Sequence, residues 1–381
     1  MSNIGKTISQ YWERIQGSLF PWLEEELDSL TKKQISLVTI LEIIRIEKFV
    51  PESAWMGRPT KFRTAIARAF VAKSIYNMDT TRTLIDRLQI DKNLRRICGF
   101  ENKRFLPSES TFSRAFDEFA SSRLPQRVHE ALIKEAYKED IILHISNDST
   151  AIEAREKANY KTEEKQNDRK FKRGRPRKGE IREVEPKFNR LDEQPSMTLE
   201  EMVKELPSVC DIGCKKNSQG FVEKWTGYKF HIAAADRGVP IVAILTSASM
   251  HDSQAAIPLL TLTSQRTINL YDLFDAAYSD KRIEDYSKFL NHVPIIDINP
   301  RRNAELKNEL ETEAKARKKL NWKMPEEIRY NERTTVERVN ARLKDEFGGR
   351  TLRVKGNNKV MCHLMFGLLA LTVDQLMCLI T

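Results

Sequence analysis

The chain has 381 residues, with 64 Lys plus Arg against 54 Asp plus Glu, a formal charge of +10, and 40% hydrophobic residues. That length and apolar content suit two to three packed domains at about 100–200 residues each and exclude a peptide or a disordered tail. Its 14 Gly and 14 Pro exclude collagen-like and linker-dominated chains, and five Cys are too few for a disulfide scaffold of this size, so reduced thiols in a cytosol are expected. The excess of positive charge favours a polyanionic partner, nucleic acid first, and says nothing about fold.

Met1–Lys6 lacks the basic and apolar regions of an export leader, which predicts a cytoplasmic protein. Residues 1–140 read as helices. After Thr60, the residues Phe62, Ile66, Ala69 and Phe70 fall at helical spacing among Lys61, Arg63, Arg68 and Lys73, predicting one apolar face and an otherwise basic surface. Thr81–Leu88 carries Leu84, Ile85 and Leu88, and Ser110 is the predicted cap of a helix striped by Phe112, Phe116 and Phe119, with Arg114 outward. Such short basic helices fit a helix-turn-helix or an ordinary bundle with a solvated basic side, and no base-reading residue stands out.

At Ile141 the texture changes. Strand-like runs occur at Ile141–Ser146, Tyr228–Ala234, Ile241–Leu245, Ile268–Phe274 and Val293–Ile298, with helix-compatible stretches at Asp252–Leu262, Lys281–Leu290 and Pro325–Phe347. The interval 151–226 is too long for a loop and is predicted to be an insertion. Its most basic part, Arg169–Lys178, holds seven positive charges in ten residues, Lys172, Arg173, Arg175 and Arg177 among them. Arg173-Gly174-Arg175-Pro176 resembles an AT-hook, in which arginines lie along a narrow minor groove; the plainer reading is a solvated charged linker that orders only on a partner, and DNA contact without A·T specificity is expected. Val360–Ile380 is apolar but broken by His363, Thr372, Asp374 and Gln375, which predicts a buried amphipathic helix and no membrane span.

On the Pro325–Phe347 stretch, Val336, Val339, Leu343 and Phe347 form an apolar stripe, flanked by a polar one of Tyr330, Arg333, Glu337 and Lys344. Two cations and a phenol around one carboxylate suit a site holding phosphates beside a metal ion. Asp148, after the first strand, and Asp275, ending the fourth, are placed to join Glu337 on a pair of Mg²⁺ ions about 4 Å apart if those strands are neighbours. Asp272 and Asp280 compete with Asp275, whose D-x-x-Y spacing to Tyr278 favours it. Asp297 is expected to bond nearby backbone, and His251 with Asp252 fits either the site or a helix cap. Cys210 and Cys214 lack a second ligand pair for zinc. The phosphate-loop, dinucleotide and serine-hydrolase motifs are all missing, so no nucleotide cofactor is expected.

Asp148, Asp275 and Glu337, with Tyr330, Arg333, Glu337 and Lys344 in the order Y-x2-R-x3-E-x6-K, resemble the DDE transposases of bacterial insertion sequences, specifically the insertion sequence 4 group. Trp225–His231, His251–Ser253 and Ile295–Arg301 resemble the same family, and the likeness runs from about Gly57 to the C-terminus. It implies an α/β fold with a ribonuclease-H-like mixed sheet flanked by helices. A helical DNA-binding domain would span 1–140 and a catalytic domain 141–381, interrupted at about 151–226. It implies Mg²⁺, with Mn²⁺ as substitute, held by Asp148, Asp275 and Glu337, with Arg333 and Lys344 on phosphates and Tyr330 on DNA. The implied partners are double-stranded transposon ends and target DNA within a synaptic homodimer. A catalytically silent or domesticated DNA-binding regulator and a ribonuclease-H-like DNA nuclease are the competing functions on the same scaffold.

Overall fold

The computed structural model describes residues 27, 29–50, 62–138, 140–159, 189–216, 219–300 and 303–379. The basic run Arg169–Lys178, with Lys172, Arg173, Arg175 and Arg177, lies outside the described residues, as do Thr60 and Lys61.

The N-terminal region comprises α1 (Lys32–Ile44), α2 (Arg63–Ile75), α3 (Thr81–Ile90), α4 (Lys92–Ile97), α5 (Glu109–Ser121) and α6 (Leu124–Ala136). Local chemistry starts them: Thr31 and Gln34 form a capping box on α1, and Thr80 and Asp91 cap α3 and α4. Helix α5 begins after Ser108, two residues before the predicted Ser110. Its Phe112, Phe116 and Phe119 surround Phe70 of α2 at ring separations of 6.1, 4.8 and 6.4 Å.

The predicted basic face of α2 does not form. Ala65–Ala67 and Ala69–Ile75 are buried on every side, Lys73 among them. Arg63 gives a two-pronged bond to Glu118, and Arg68 pairs with Glu47 at 3.3 Å. Arg63 and Arg68 serve the fold because α2 is the centre of the bundle.

The sheet contains β1 (Ile141–Glu153), β2 (Asp211–Lys216), β3 (Val222–Ala235), β4 (Val239–Ser247), β5 (Ile268–Phe274) and β6 (Val293–Ile296). Across it the order is β4–β3–β1–β5–β6, with β2 continuing the β4 edge along the first half of β3. β4, β3 and β1 are antiparallel, whereas β1, β5 and β6 are parallel. This six-stranded mixed sheet, flanked by helices and preceded by a helical region, has the ribonuclease-H-like form expected. β2 lies inside the predicted insertion, as does α7 (Leu199–Glu205).

Both faces of the sheet are buried. Along β3, Tyr228, Phe230, Ile232 and Ala234 join the core shared with the N-terminal helices, while Ala233 and Ala235 alternate into a second core with Ile133 and Leu259. α8 (Ala256–Ser264) packs on β3, β4 and β5, and α9 (Lys281–Phe289) on β6. α10 (Ala304–Lys319) has no buried residue. The predicted long helix is broken into α11 (Pro325–Tyr330), a 3₁₀ turn over Asn331–Arg333, and α12 (Thr334–Asp345); its stripe Val336, Val339, Leu343 and Phe347 is buried as expected.

The last helix, α13 (Asn357–Met377), contains an 18-residue stretch with a mean hydropathy of 1.6, enough by length and composition for a membrane span, yet 78% of that stretch is buried. It is enclosed all round rather than amphipathic, because α1, α2, α5, α6, α12 and β4 pack against it. Arg342 of α12 donates to Asp374 at 2.7 Å, and His129 of α6 meets both Thr372 and the Pro240 carbonyl. Gly367 permits the closest approach: a Cβ there would run into the Phe347 carbonyl. Gly367→Ala is therefore expected to lower the melting temperature despite the better helix propensity of Ala; an unchanged or raised melting curve would contradict this packing.

Candidate active site

The parallel β1/β5 pairing ends at Ser146 opposite Leu273. Two residues further along each chain stand Asp148 and Asp275, so the register brings both carboxylates to the same level at the end of the parallel pair. Asp148 does not follow β1, as predicted, but lies within it, opposite Ile232 of β3, because the antiparallel pairing continues to Glu153. Asn147 locks the two strands from behind, its buried amide donating to the Ile145 and Leu273 carbonyls at 3.4 Å each.

Ser146 shares the face of Asp148, and its hydroxyl donates to the Glu332 carbonyl at 3.0 Å, holding the turn before α12 against the strand. About two helical turns on, Asn340 Nδ2 donates to Asp148 Oδ2 at 3.1 Å. Asp275 accepts from the Ala277 N–H at 2.9 Å.

Burial, then the neighbouring charges of Asp275 and Asp252, pushes Asp148 up to about 7, against the opposing pull of the Ser149 N–H and Arg333. Burial raises Asp275 as well, with Asp252 and Asp297 adding to it. The buried Tyr278 hydroxyl has no hydrogen-bond partner among the described residues, and Asp252, Asp148 and Asp275 all act on it. Asp252 is held beside this group by Lys229 of β3, whose ammonium donates to it at 2.9 Å and to the Met250 carbonyl at 2.7 Å.

The other aspartates are engaged elsewhere. Asp272 is fully buried and accepts from Asn269, Ser287 and His292 at 2.9, 2.6 and 2.9 Å, so it is structural. Asp280 caps α9 and grips Arg282. Asp297 is exposed near Asp275 and Tyr330. His251 is a cap, its Nδ1 accepting from the Ser253 N–H at 3.4 Å.

Glu337 is not gathered with the two aspartates. Its Oε1 accepts from Arg333 Nη2 at 2.6 Å, and Arg333 also lies 5.7 Å from the Tyr330 ring centre. Among the described residues no three His, Cys, Asp or Glu side chains come close enough to hold one ion. Arg333 acts on Asp148, Asp275 and Glu337 alike, so it sits between the pair and the third acid. Lys344, seven residues beyond Glu337 and about 10 Å along α12, belongs to a different environment of Lys215, Arg350 and Glu153.

Two neighbouring, proton-raised carboxylates and an unpartnered phenol fit a hard divalent cation, which is commonly held by one or two carboxylates together with substrate phosphates. The exposed Arg333–Glu337 pair, at i,i+4 spacing, is worth only about 0.3–0.5 kcal/mol and is a weak obstacle to moving Glu337. Lys229 and Asn340 were not singled out by sequence reasoning. Lys229 lay in a stretch already noted, whereas the only signal for Asn340 was its place three residues after Glu337 on the same helix.

Residues 208–373 match the family model described as the transposase DDE domain, and residues 25–118 match that of a transposase domain (DUF772). Asp275 and Glu337 fall in the first match; Asp148 falls in neither, so its place in the site rests on the strand register. No curated protein and no solved structure matches the chain significantly. Residues 208–373 and 25–118 are thus similar to a transposase DDE domain and to a transposase domain, and the ribonuclease-H-like sheet presents paired aspartates.

Proposed function

We propose that this chain is the transposase of an insertion sequence of the insertion sequence 4 group, releasing the element by Mg²⁺-dependent cleavage at its ends and joining it to target DNA. The observation that carries the mechanism is the β1/β5 register, which sets Asp148 beside Asp275 in surroundings that raise the proton affinity of both. Asp148 and Asp275 would be the central ligands of Mg²⁺ or Mn²⁺ and Glu337, released from Arg333, would be the third; the ion would supply Lewis acidity for displacement at a phosphodiester. Asn340 holds the Asp148 carboxylate in place, and Lys229 keeps Asp252 at the rim. Arg333, freed from Glu337, turns its N–H donors to a phosphate oxygen, and Tyr330 contacts DNA beside the cut.

The helical region over 1–140 engages the transposon ends. Lys172, Arg173, Arg175 and Arg177 add backbone neutralisation to the catalytic region over 141–381, and the assembled form is a cytoplasmic homodimer bridging two ends. The test incubates purified protein with linear DNA carrying the inverted repeats that flank its gene, with Mg²⁺ or with EDTA. Expected is double-strand release at the repeats with Mg²⁺ only, followed by joining to an added plasmid. Repeat binding without cutting would identify a silent regulator, and cutting of branched DNA without joining a nuclease.

A further inference from the structure

A gathering of cations lies away from the aspartates, in a cleft of about 640 Å³ between the N-terminal helices and the segment joining α12 to α13. Lys73, Arg82, Arg155, Arg353, Lys355 and Lys359 line it, together with Asp79, Glu109 and Asp117. Two acids are already matched, Glu109 by Arg82 at 3.1 Å and Asp117 by Lys359 at 2.7 Å. Among the described residues no hydrogen bond or ion pair engages the side chains of Lys73, Arg155, Arg353 or Lys355, and the charge of Asp79 bears on Lys73. Lys73 is 5% exposed, and burial pushes its ammonium down to about 8. Such a buried cation facing a wet cleft is stabilised by an anion.

The joining segment is built to present charge. Leu352 is buried and Val354 half-buried, whereas Arg353 and Lys355 between and after them are exposed. Glu156 pins the far end, accepting from the Gly356 N–H at 3.2 Å and from the Tyr228 hydroxyl. The near end carries Arg350, whose charge, with that of Lys215, bears on Lys344. The cations therefore continue from the cleft towards α12, and α12 leads back to Asn340 and Asp148. Arg155 stands two residues past the end of β1, and the strand from Asp148 to Glu153 spans about 17 Å. That is about five base-pair steps at 3.4 Å each.

We propose that this cleft and segment form a binding track for the phosphate backbone of duplex DNA, with Arg155, Arg353 and Lys355 as its contacts, anchoring the duplex about five base pairs from the cut. The proposal rests on the transposase reading for the duplex that occupies it. A charged track of this spacing suits a repeating polyanion better than a single free phosphate, because its cations extend beyond one ion's reach.

The test combines Arg155→Gln, Arg353→Gln and Lys355→Gln in the full chain and measures binding to inverted-repeat duplex in EDTA across a salt series. A control variant carries Lys315→Gln, Lys318→Gln and Lys319→Gln on α10, and melting curves confirm that both variants fold. Expected is a slope of log affinity against log salt that falls by about 2 to 3 in the track variant and stays near wild type in the control. An unchanged slope in the track variant, or an equal fall in the control, overturns the track while leaving end cleavage, assayed separately with Mg²⁺, to judge the transposase reading. A wild type that fails to bind duplex removes both. Stabilisation of wild type but not the track variant by inorganic phosphate, with an unchanged DNA slope, would assign the cleft to free phosphate and also overturn the proposal.

Discussion

Asp148→Asn is expected to abolish Mg²⁺-dependent cleavage, by on the order of 10³-fold or more, while making the metal-free protein more stable at pH 8. On the proposed metal site, the loss follows from removing one of the two carboxylates that stand just beyond the end of the β1/β5 pairing. The gain follows from the same geometry. Burial and the nearby Asp275 and Asp252 raise Asp148 to about 7 in the folded protein, far above the range of an unfolded chain. Above pH 7 the folded state therefore holds a disfavoured charge, and this cost shrinks as pH falls from about 7 towards 4, where the unfolded carboxylate also takes up its proton. Asparagine removes the charge yet still accepts from Asn340 Nδ2, so the expected gain is a few degrees of melting temperature at pH 8, fading by pH 5. Asp275→Asn should move both readouts in the same directions, since burial raises that group too. Thermal melts in EDTA at several pH values, run beside a cleavage assay, check both. A variant that still cuts, or one that melts lower than wild type at pH 8, would refute the assignment of Asp148.

Phe366→Ala is expected to cost about 3–5 kcal/mol and to lower the melting temperature by roughly 5–10 °C. Phe366 is 2% exposed near the middle of α13, with its ring 5.8 Å from that of Phe70 in α2 and 6.4 Å from that of Phe116 in α5. Through α13 these N-terminal helices share one continuous core with Tyr228, Phe230 and Ile232 of β3 and with Val336 and Leu343 of α12. Truncating Phe366 thus empties a site where both parts of the chain meet, and the whole molecule should melt in one transition before and after the change. Two separate transitions in the wild type, or a melting temperature unmoved by the substitution, would show that the helical region and the sheet fold independently. The same shared core rigidly couples the N-terminal helices to the strands bearing the aspartates.

Much of the architecture was legible in the sequence because it rests on local patterns. The runs that became β1, β3, β4, β5 and β6 were visible from β-branched and aromatic clustering, the Phe112, Phe116 and Phe119 stripe from helical spacing, and the apolar side of α12 from Val336, Val339 and Leu343. Where the reading went astray, burial by distant chain overrode the local signal. α2 was expected to present a basic face, yet Glu118 and Glu47 come from elsewhere to take up Arg63 and Arg68. The expected long helix breaks at Asn331–Arg333, where Ser146 of β1 holds the Glu332 carbonyl.

The sequence by itself determined which acids and cations were available: Asp148, Asp275, Glu337, Arg333, Tyr330 and Lys344 are all named by residue type and spacing. Only the tertiary structure decided how they are grouped. It set Asp148 level with Asp275, drew Asn340 to Asp148, buried Asp272 beneath its own partners, turned Glu337 to Arg333 and left Lys344 with the basic segment. The reason is that spacing along one helix or strand fixes only which residues share a face, whereas the company a charge keeps depends on strand register and packing between segments more than a hundred residues apart.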